Sequence, residues 1–220
     1  MPTEQIPAVF KAHNTEHVLP TDEHGLAKFP IHLTVLPLTD LWRKPLSTFS
    51  ENQPTYYVPI PLKRLLRAAV TLQFKPVHLY DQAGIAILWP NHKDRWIKAG
   101  IEYVDEQLKK SVVAPGVGGW SDWSVSGSVE LKKDVEIAVR REGGAGSALL
   151  LEIDGVIVRE LHWVFEGEEV DEEVWVGMYG ARPADVEELL VVQVKKWELE
   201  VKAEETNALK TGLFSNLRHW

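Results

Sequence analysis

The residues best equipped for chemistry lie between positions 78 and 103, which read HLYDQAGIAILWPNHKDRWIKAGIEY. From Asp94 to Tyr103 polar and apolar side chains alternate with period two. Trp96, Lys98, Gly100 and Glu102 therefore share one face of a strand, and Ile97, Ala99, Ile101 and Tyr103 share the other. The preceding run sets Ala83, Ile85 and Ile87 on one side and Tyr80, Gln82, Gly84 and Ala86 on the opposite one. Two adjacent strands that expose Tyr80, Gln82, Trp96, Lys98 and Glu102 together resemble a ligand platform. The rings offer faces to apolar CH groups, and the amide, ammonium and carboxylate fix orientation. The competing reading is a wet sheet face, which ordinarily carries charge. Along a strand Lys98 and Glu102 stand roughly 13 Å apart at ~3.3 Å per residue. They do not pair directly, and Gly100 leaves a notch between them that either seats a hydroxyl-rich ligand or only lets the sheet curve.

Two further indoles, Trp120 and Trp123, sit in the glycine-rich run 116–123, GVGGWSDW. This run falls between strands rather than before a helix, so it is a loop that closes over a ligand or folds back on the core. Asp81 takes the apolar side in the phase set by Ala83 and Ile85. An unpaired carboxylate there is costly, so it is expected to be held by backbone N–H groups or by a base such as Arg67 or Lys44.

Other chemistries find no support. The eight histidines are scattered over 13, 17, 24, 32, 78, 92, 162 and 219, so no metal site is expected. There is no nucleophile elbow, P-loop or dinucleotide glycine pattern. Glu152 with Asp154, and Glu198 with Glu200, have the i, i+2 spacing of a retaining glycosidase dyad. Asp154, however, is better explained by a turn, and no ring shares the Glu198–Glu200 face. The catalytic residues, if there are any, are not identified. The absence of cysteine excludes disulfides and thiolate catalysis, and no cofactor is implied. A net charge of −8 with dispersed Lys and Arg argues against nucleic-acid and anionic-membrane partners. No apolar leader or spanning run is present, so a cytoplasmic protein is expected.

The elements that must position these residues are almost all strands. Apolar-alternating runs recur at 31–36, 56–60, 68–74, 79–88, 95–103, 111–113, 135–140, 149–153, 156–161, 174–179 and 191–201. Asp154-Gly155 supplies the two positive-φ residues of a type I′ hairpin turn. In the last strand the apolar phase slips between Val194 and Trp197, which predicts a bulge at Lys195–Lys196. Pro183 to Leu190 has the composition of one short helical turn, and 166–173 that of a solvated acidic loop. The predicted organisation is an N-terminal extension over 1–30, partly irregular, with one strand near Ala8 to Ala12. A single β-sandwich domain over 31–203 and a polar tail over 204–220 follow.

Six blocks then come in order: Thr39–Pro45 (TDLWRKP), Leu79–Ile85 (LYDQAGI), Trp96–Glu102 (WIKAGIE), Ser111–Val113, Trp120–Trp123 (WSDW) and Val176–Pro183 (VGMYGARP). From about Ile31 to Val201 the chain resembles the regulation-of-enolase-like family of domain-of-unknown-function proteins. That family is built on the concanavalin A-like lectin/glucanase sandwich. The resemblance implies an all-β, concanavalin A-like jelly-roll sandwich of two curved antiparallel sheets. It also implies a concave face of the kind on which related folds bind or cleave carbohydrate, and a regulatory link to enolase. The acidic E-x-D-x-x-E strand of the glucanase relatives is absent, which counts against hydrolysis. The expected ligand is small, polar and carbohydrate-like, bound by Tyr80, Gln82, Trp96, Lys98, Glu102, Trp120 and Trp123. The alternatives are an enzyme using Glu102 as acid/base with Lys98, and an interaction protein that partners a metabolic enzyme.

Overall fold

A computed structural model describes residues 2–130, 133–166 and 172–204. The described residues form sixteen strands. They are β1 (Thr3–Gln5), β2 (Lys11–His13), β3 (Ile31–Val35), β4 (Leu41–Lys44), β5 (Thr48–Glu51), β6 (Thr55–Pro61), β7 (Leu65–Phe74) and β8 (Gln82–Leu88). Then follow β9 (Trp96–Val104), β10 (Gln107–Pro115), β11 (Ser121–Val129), β12 (Val135–Arg141), β13 (Leu149–Ile153), β14 (Val156–Leu161), β15 (Glu173–Ala181) and β16 (Leu190–Lys202). One sheet runs β1-β16-β7-β12-β13-β14 with β3 also on β16, and the other runs β11-β10-β9-β8-β15-β6-β2. All strand pairs are antiparallel. The result is a jelly-roll sandwich of two antiparallel sheets. Strands β4 and β5 pair only with each other, as a separate hairpin.

The inner faces form one core, in which Ile85, Ile87, Ile97, Ala99 and Ile101 of one sheet belong to the same cluster as Val70, Leu72, Ile137, Val139 and Leu151 of the other. A strand covered on one face only should alternate between buried and exposed residues. Yet every residue of β8 is buried, and so are all of β9 except Tyr103. A second cluster on the outer side explains this: Leu41 of the β4–β5 hairpin packs with Ala86, Leu88, Trp96, Val113 and Tyr179. The hairpin lies on the concave face, and the face expected to be exposed is covered.

Local expectations are met at the β13–β14 turn, where Asp154 (φ 51) and Gly155 (φ 72) are both left-handed. They are met again in β16, whose register slips between Val194 and Lys196. Others need correction. Residues 183–190 form no helical turn. The Arg182 guanidinium donates to the Glu188 carbonyl (2.7 Å) and the Leu38 amide to the Ala184 carbonyl (3.3 Å), which holds the segment as an irregular bridge. The run after Gly116 is a loop only to Trp120, because Ser121–Val129 is an edge strand whose serines masked its pattern. The N-terminal strand falls at Lys11–His13 on β6, and a further one at Thr3–Gln5 on β16. Most of the acidic loop at 166–173, and the tail from 205, lie outside the described residues. Among the described residues no helix is long and apolar enough to cross a membrane.

Candidate functional site

The register of β8 on β9 sets Gln82 opposite Glu102, Gly84 opposite Gly100, Ala86 opposite Lys98 and Leu88 opposite Trp96. All four pairs face the hairpin side, as the alternation required. Lys98 and Gln82 are 2 % exposed and Glu102 5 %, so the presumed platform is a buried polar cluster. A cavity of about 380 Å³ opens above it, lined by Asp40, Trp42, Tyr80, Gln82, Lys98, Glu102, Trp123 and Pro183.

The polar groups form two hydrogen-bonded sets, one around Lys98 and Gln82 and one around Glu102. Lys98 Nζ donates to Gln82 Oε1 (2.8 Å) and to Asp40 Oδ1 (3.0 Å). Gln82 Nε2 donates to the Tyr80 carbonyl (3.2 Å), and the Tyr179 hydroxyl donates to Gln82 Oε1 (3.4 Å). Glu102 Oε2 accepts from Ser111 Oγ (2.6 Å) and from Trp123 Nε1 (3.1 Å). Burial raises the Glu102 carboxyl above its ordinary value against the pull of Lys98, Ser111 and Trp123, and the Asp40 charge adds to the rise. Burial also pushes the Tyr179 phenol well up, reinforced by Glu102 and Asp40. The Glu102 carboxyl thus holds its proton to higher pH than a free carboxyl does, and the Tyr179 hydroxyl is committed to Gln82.

Three aromatic rings wall the cavity. Trp42 and Trp123 meet at 86° with centroids 6.4 Å apart, and Tyr80 meets Trp123 at 80° and 6.1 Å. Tyr80 owes its place to a left-handed backbone (φ 67) in the turn that Asp81 closes. Asp81 is fully buried and accepts from the Val77 (2.8 Å) and His78 (3.0 Å) amides and from both arms of the Arg182 guanidinium (2.7 Å each). Its basic partner is thus Arg182. Arg67 instead bridges Glu136 and Glu198, and Lys44 is exposed. Arg182 also receives Thr39 through a two-way bond: the Arg182 amide donates to Thr39 Oγ1 (3.1 Å) and the Thr39 amide to the Arg182 carbonyl (3.1 Å). This fixes Asp40 and Pro183 at the rim.

Five of the seven residues singled out in the sequence, Tyr80, Gln82, Lys98, Glu102 and Trp123, line the cavity, and two do not. Trp96 is sealed beneath the hairpin at 2 % exposure, and Trp120 lies 48 % exposed outside the cavity wall. The notch idea also fails. The register puts the Gly84–Gly100 pair between Lys98 and Gln82, so the Lys98 side chain itself bridges the gap. A Cβ on Gly100 would fall on the Ala83 carbonyl oxygen, and one on Gly84 on that of Ala99. The two glycines serve close backbone approach. The sequence reading missed Asp40 and Trp42, although TDLWRKP had stood out as a block, along with Ser111 and Tyr179. Among the described residues no group of three or more His, Cys, Asp or Glu is placed to hold a metal ion.

Residues 21–202 match the family described as protein of unknown function (DUF1349). The chain belongs to that family. It is 36 % identical over 199 residues to an uncharacterized protein of Emericella nidulans, covering 88 % of this chain and 96 % of that one. Its fold is similar to the crystal structure of a functionally unknown protein from Saccharomyces cerevisiae, with a TM-score of 0.68 at 24 % identity over 89 % of this chain and 98 % of the other. An alginate lyase from Pseudomonas aeruginosa shares the architecture more distantly, with a TM-score of 0.52 at 11 % identity over 79 % of this chain and 83 % of its own.

Proposed function

We propose that this protein binds a small, polar, carbohydrate-like ligand in the cavity between the concave sheet and the β4–β5 hairpin. The observation that carries the reading is the convergence of Gln82, Lys98, Glu102 and Asp40 on one cavity walled by Trp42, Tyr80 and Trp123. Few placed polar groups among aromatic walls suit a ligand with hydroxyls on one side and CH groups on the other. The hairpin limits the ligand's size. Leu41 packs on the face where an open groove would run, and the cavity of about 380 Å³ that remains suits a small molecule rather than a polymer. An alginate lyase among distant structures of this architecture is consistent with a glycan-related ligand, though fold alone does not assign one.

One observation favours a catalytic variant of the reading. Glu102 faces the cavity with a carboxyl that burial raises above its ordinary value, and Asp40 supplies a second carboxylate that the sequence had not suggested. Titration with monosaccharides, followed by tryptophan fluorescence and by mass spectrometry of the recovered sugar, separates the cases. Saturable quenching that Trp42→Leu abolishes, with the sugar unchanged, is the expected result. An altered sugar mass favours the enzyme. An unresponsive cavity together with enolase or another metabolic enzyme on co-purification favours the regulatory reading and overturns ours.

A further inference from the structure

The charge and ring geometry of the cavity say more about its ligand than that it is polar. Of the three ionisable side chains lining it near neutral pH, two are carboxylates and one is an ammonium. That ammonium is already committed: Lys98 Nζ is held by Asp40 Oδ1 and Gln82 Oε1. The hydrogen bonds that Asp40 accepts all converge on Oδ1, from Lys98, Gln82 and the Leu41 amide, and those that Glu102 accepts converge on Oε2. Each carboxylate therefore keeps an oxygen with no hydrogen bond among the described residues. Around them stand Trp42 and Tyr80, each at a near right angle to Trp123, with centroids 6.4 and 6.1 Å from it. Rings so arranged form the walls of a box, and a cation within about 6 Å of such faces is attracted by their negative quadrupoles. The wall shows this affinity within the protein itself, since Lys98 Nζ lies 6.0 Å from the Trp42 centroid.

We infer that the ligand of this cavity carries a cationic nitrogen, a protonated amine or a quaternary ammonium, seated between Trp42, Tyr80 and Trp123 and facing the uncommitted oxygens of Asp40 and Glu102. The inference rests on the binding role proposed above and narrows it. A ligand carboxylate would meet two like charges and a lysine that is already neutralised, so acidic sugars are rejected. An amino sugar and a simple alkylammonium share the deciding group, and the experiment tells them apart.

The test titrates the full-length protein at matched ionic strength with glucosamine, tetramethylammonium, glucose and glucuronate, reading tryptophan fluorescence. The expected result is saturable binding of glucosamine, of tetramethylammonium or of both, about tenfold or more tighter than glucose, with no response to glucuronate. Glucosamine alone identifies an amino sugar, and tetramethylammonium alone identifies an alkylammonium. Glu102→Gln keeps the shape and the acceptor for Ser111 and Trp123. It should weaken the cationic probe roughly tenfold, and more than it weakens glucose. Glucose or glucuronate binding as tightly as both cations would overturn the cationic-nitrogen assignment and leave the small-ligand reading standing. Silence from all four probes, with the protein folded by circular dichroism, would overturn both.

Discussion

Glu102 and Asp81 are both buried carboxylates, and their partners give them opposite roles. Asp81 is fully neutralised by a two-armed bond to Arg182, and removing it leaves a guanidinium that is 1 % exposed without its charge partner. Breaking a buried pair from one side costs about 3–5 kcal/mol, and each kcal/mol moves the melting temperature of a chain this size by roughly 2–4 °C. Asp81→Ala should therefore lower it by about 10 °C in calorimetry, and Asp81→Ala with Arg182→Met should recover part of the loss. Equal melting temperatures for the wild type and Asp81→Ala would show that the pair holds nothing together. Glu102 has hydrogen bonds but no such partner, and burial raises its pKa. The folded chain thus keeps this proton to higher pH than the unfolded chain does. The stability it contributes is present below the unfolded carboxylate value and is lost as pH rises through the raised folded one. Glu102→Gln escapes that loss. Its melting temperature relative to the wild type should rise between pH 4 and pH 7, by roughly 2–4 °C for each kcal/mol relieved. A difference that stays flat across that range would show that Glu102 ionises as it does in the unfolded chain.

At the level of elements, the β4–β5 hairpin decides what the concave face can do. It belongs to neither sheet, and it is held by Leu41 in the second cluster, by the Arg43 amide donating to Ser121 Oγ (2.9 Å), and by Asn14 Nδ2 donating to the Glu51 carbonyl (2.9 Å). Leu41→Ala should loosen the hairpin without unfolding the sandwich, because the main core does not include Leu41. Hydrogen exchange should speed up at residues 41–51 while the amides of β8 and β9 keep their protection. Uniform acceleration over both sheets would mean that the hairpin is part of the global folding unit. None of this placement could be read from the sequence. Period-two alternation reveals which residues of β8 and β9 share a face, but not whether a distant hairpin covers that face. Arg182 stands 101 residues from Asp81, and no local pattern links them. The bulge in β16 was legible because a phase slip is written in the strand itself. The turn after β9 was not, because Asp105 (φ 51) and Glu106 (φ 62) adopt left-handed backbone without a glycine to mark it.

For the molecule as a whole, the N-terminal residues tie together what the sequence treated as separate. Strand β1 extends one sheet through β16, and β2 extends the other through β6. Between them Ile6, Ala8 and Phe10 pack against the main core, with Phe10 edge-on to Trp197 at 5.5 Å. At the end of β2, His13 meets Trp175 at 5.2 Å, and Asn14, the next residue, holds the hairpin at Glu51. The segment is therefore a strap from sheet to sheet to hairpin, all of it ahead of the residues 21–202 that match the family. Removing residues 2–14 should cost the burial of three apolar side chains, about 2–4 kcal/mol at ~25 cal/mol per Å². That lowers the melting temperature by roughly 5–15 °C. It should also weaken ligand binding in the cavity, even though no residue of the strap lines it, because the hairpin that carries Asp40 and Trp42 loses an anchor. Asn14→Ala separates the two effects: it should spare most of the thermal stability and retain the binding defect. If the truncated protein binds as tightly as the full chain, the strap supports the sandwich alone, and the hairpin is positioned by Leu41, Ser121 and the Lys98 and Arg182 contacts at Asp40 and Thr39.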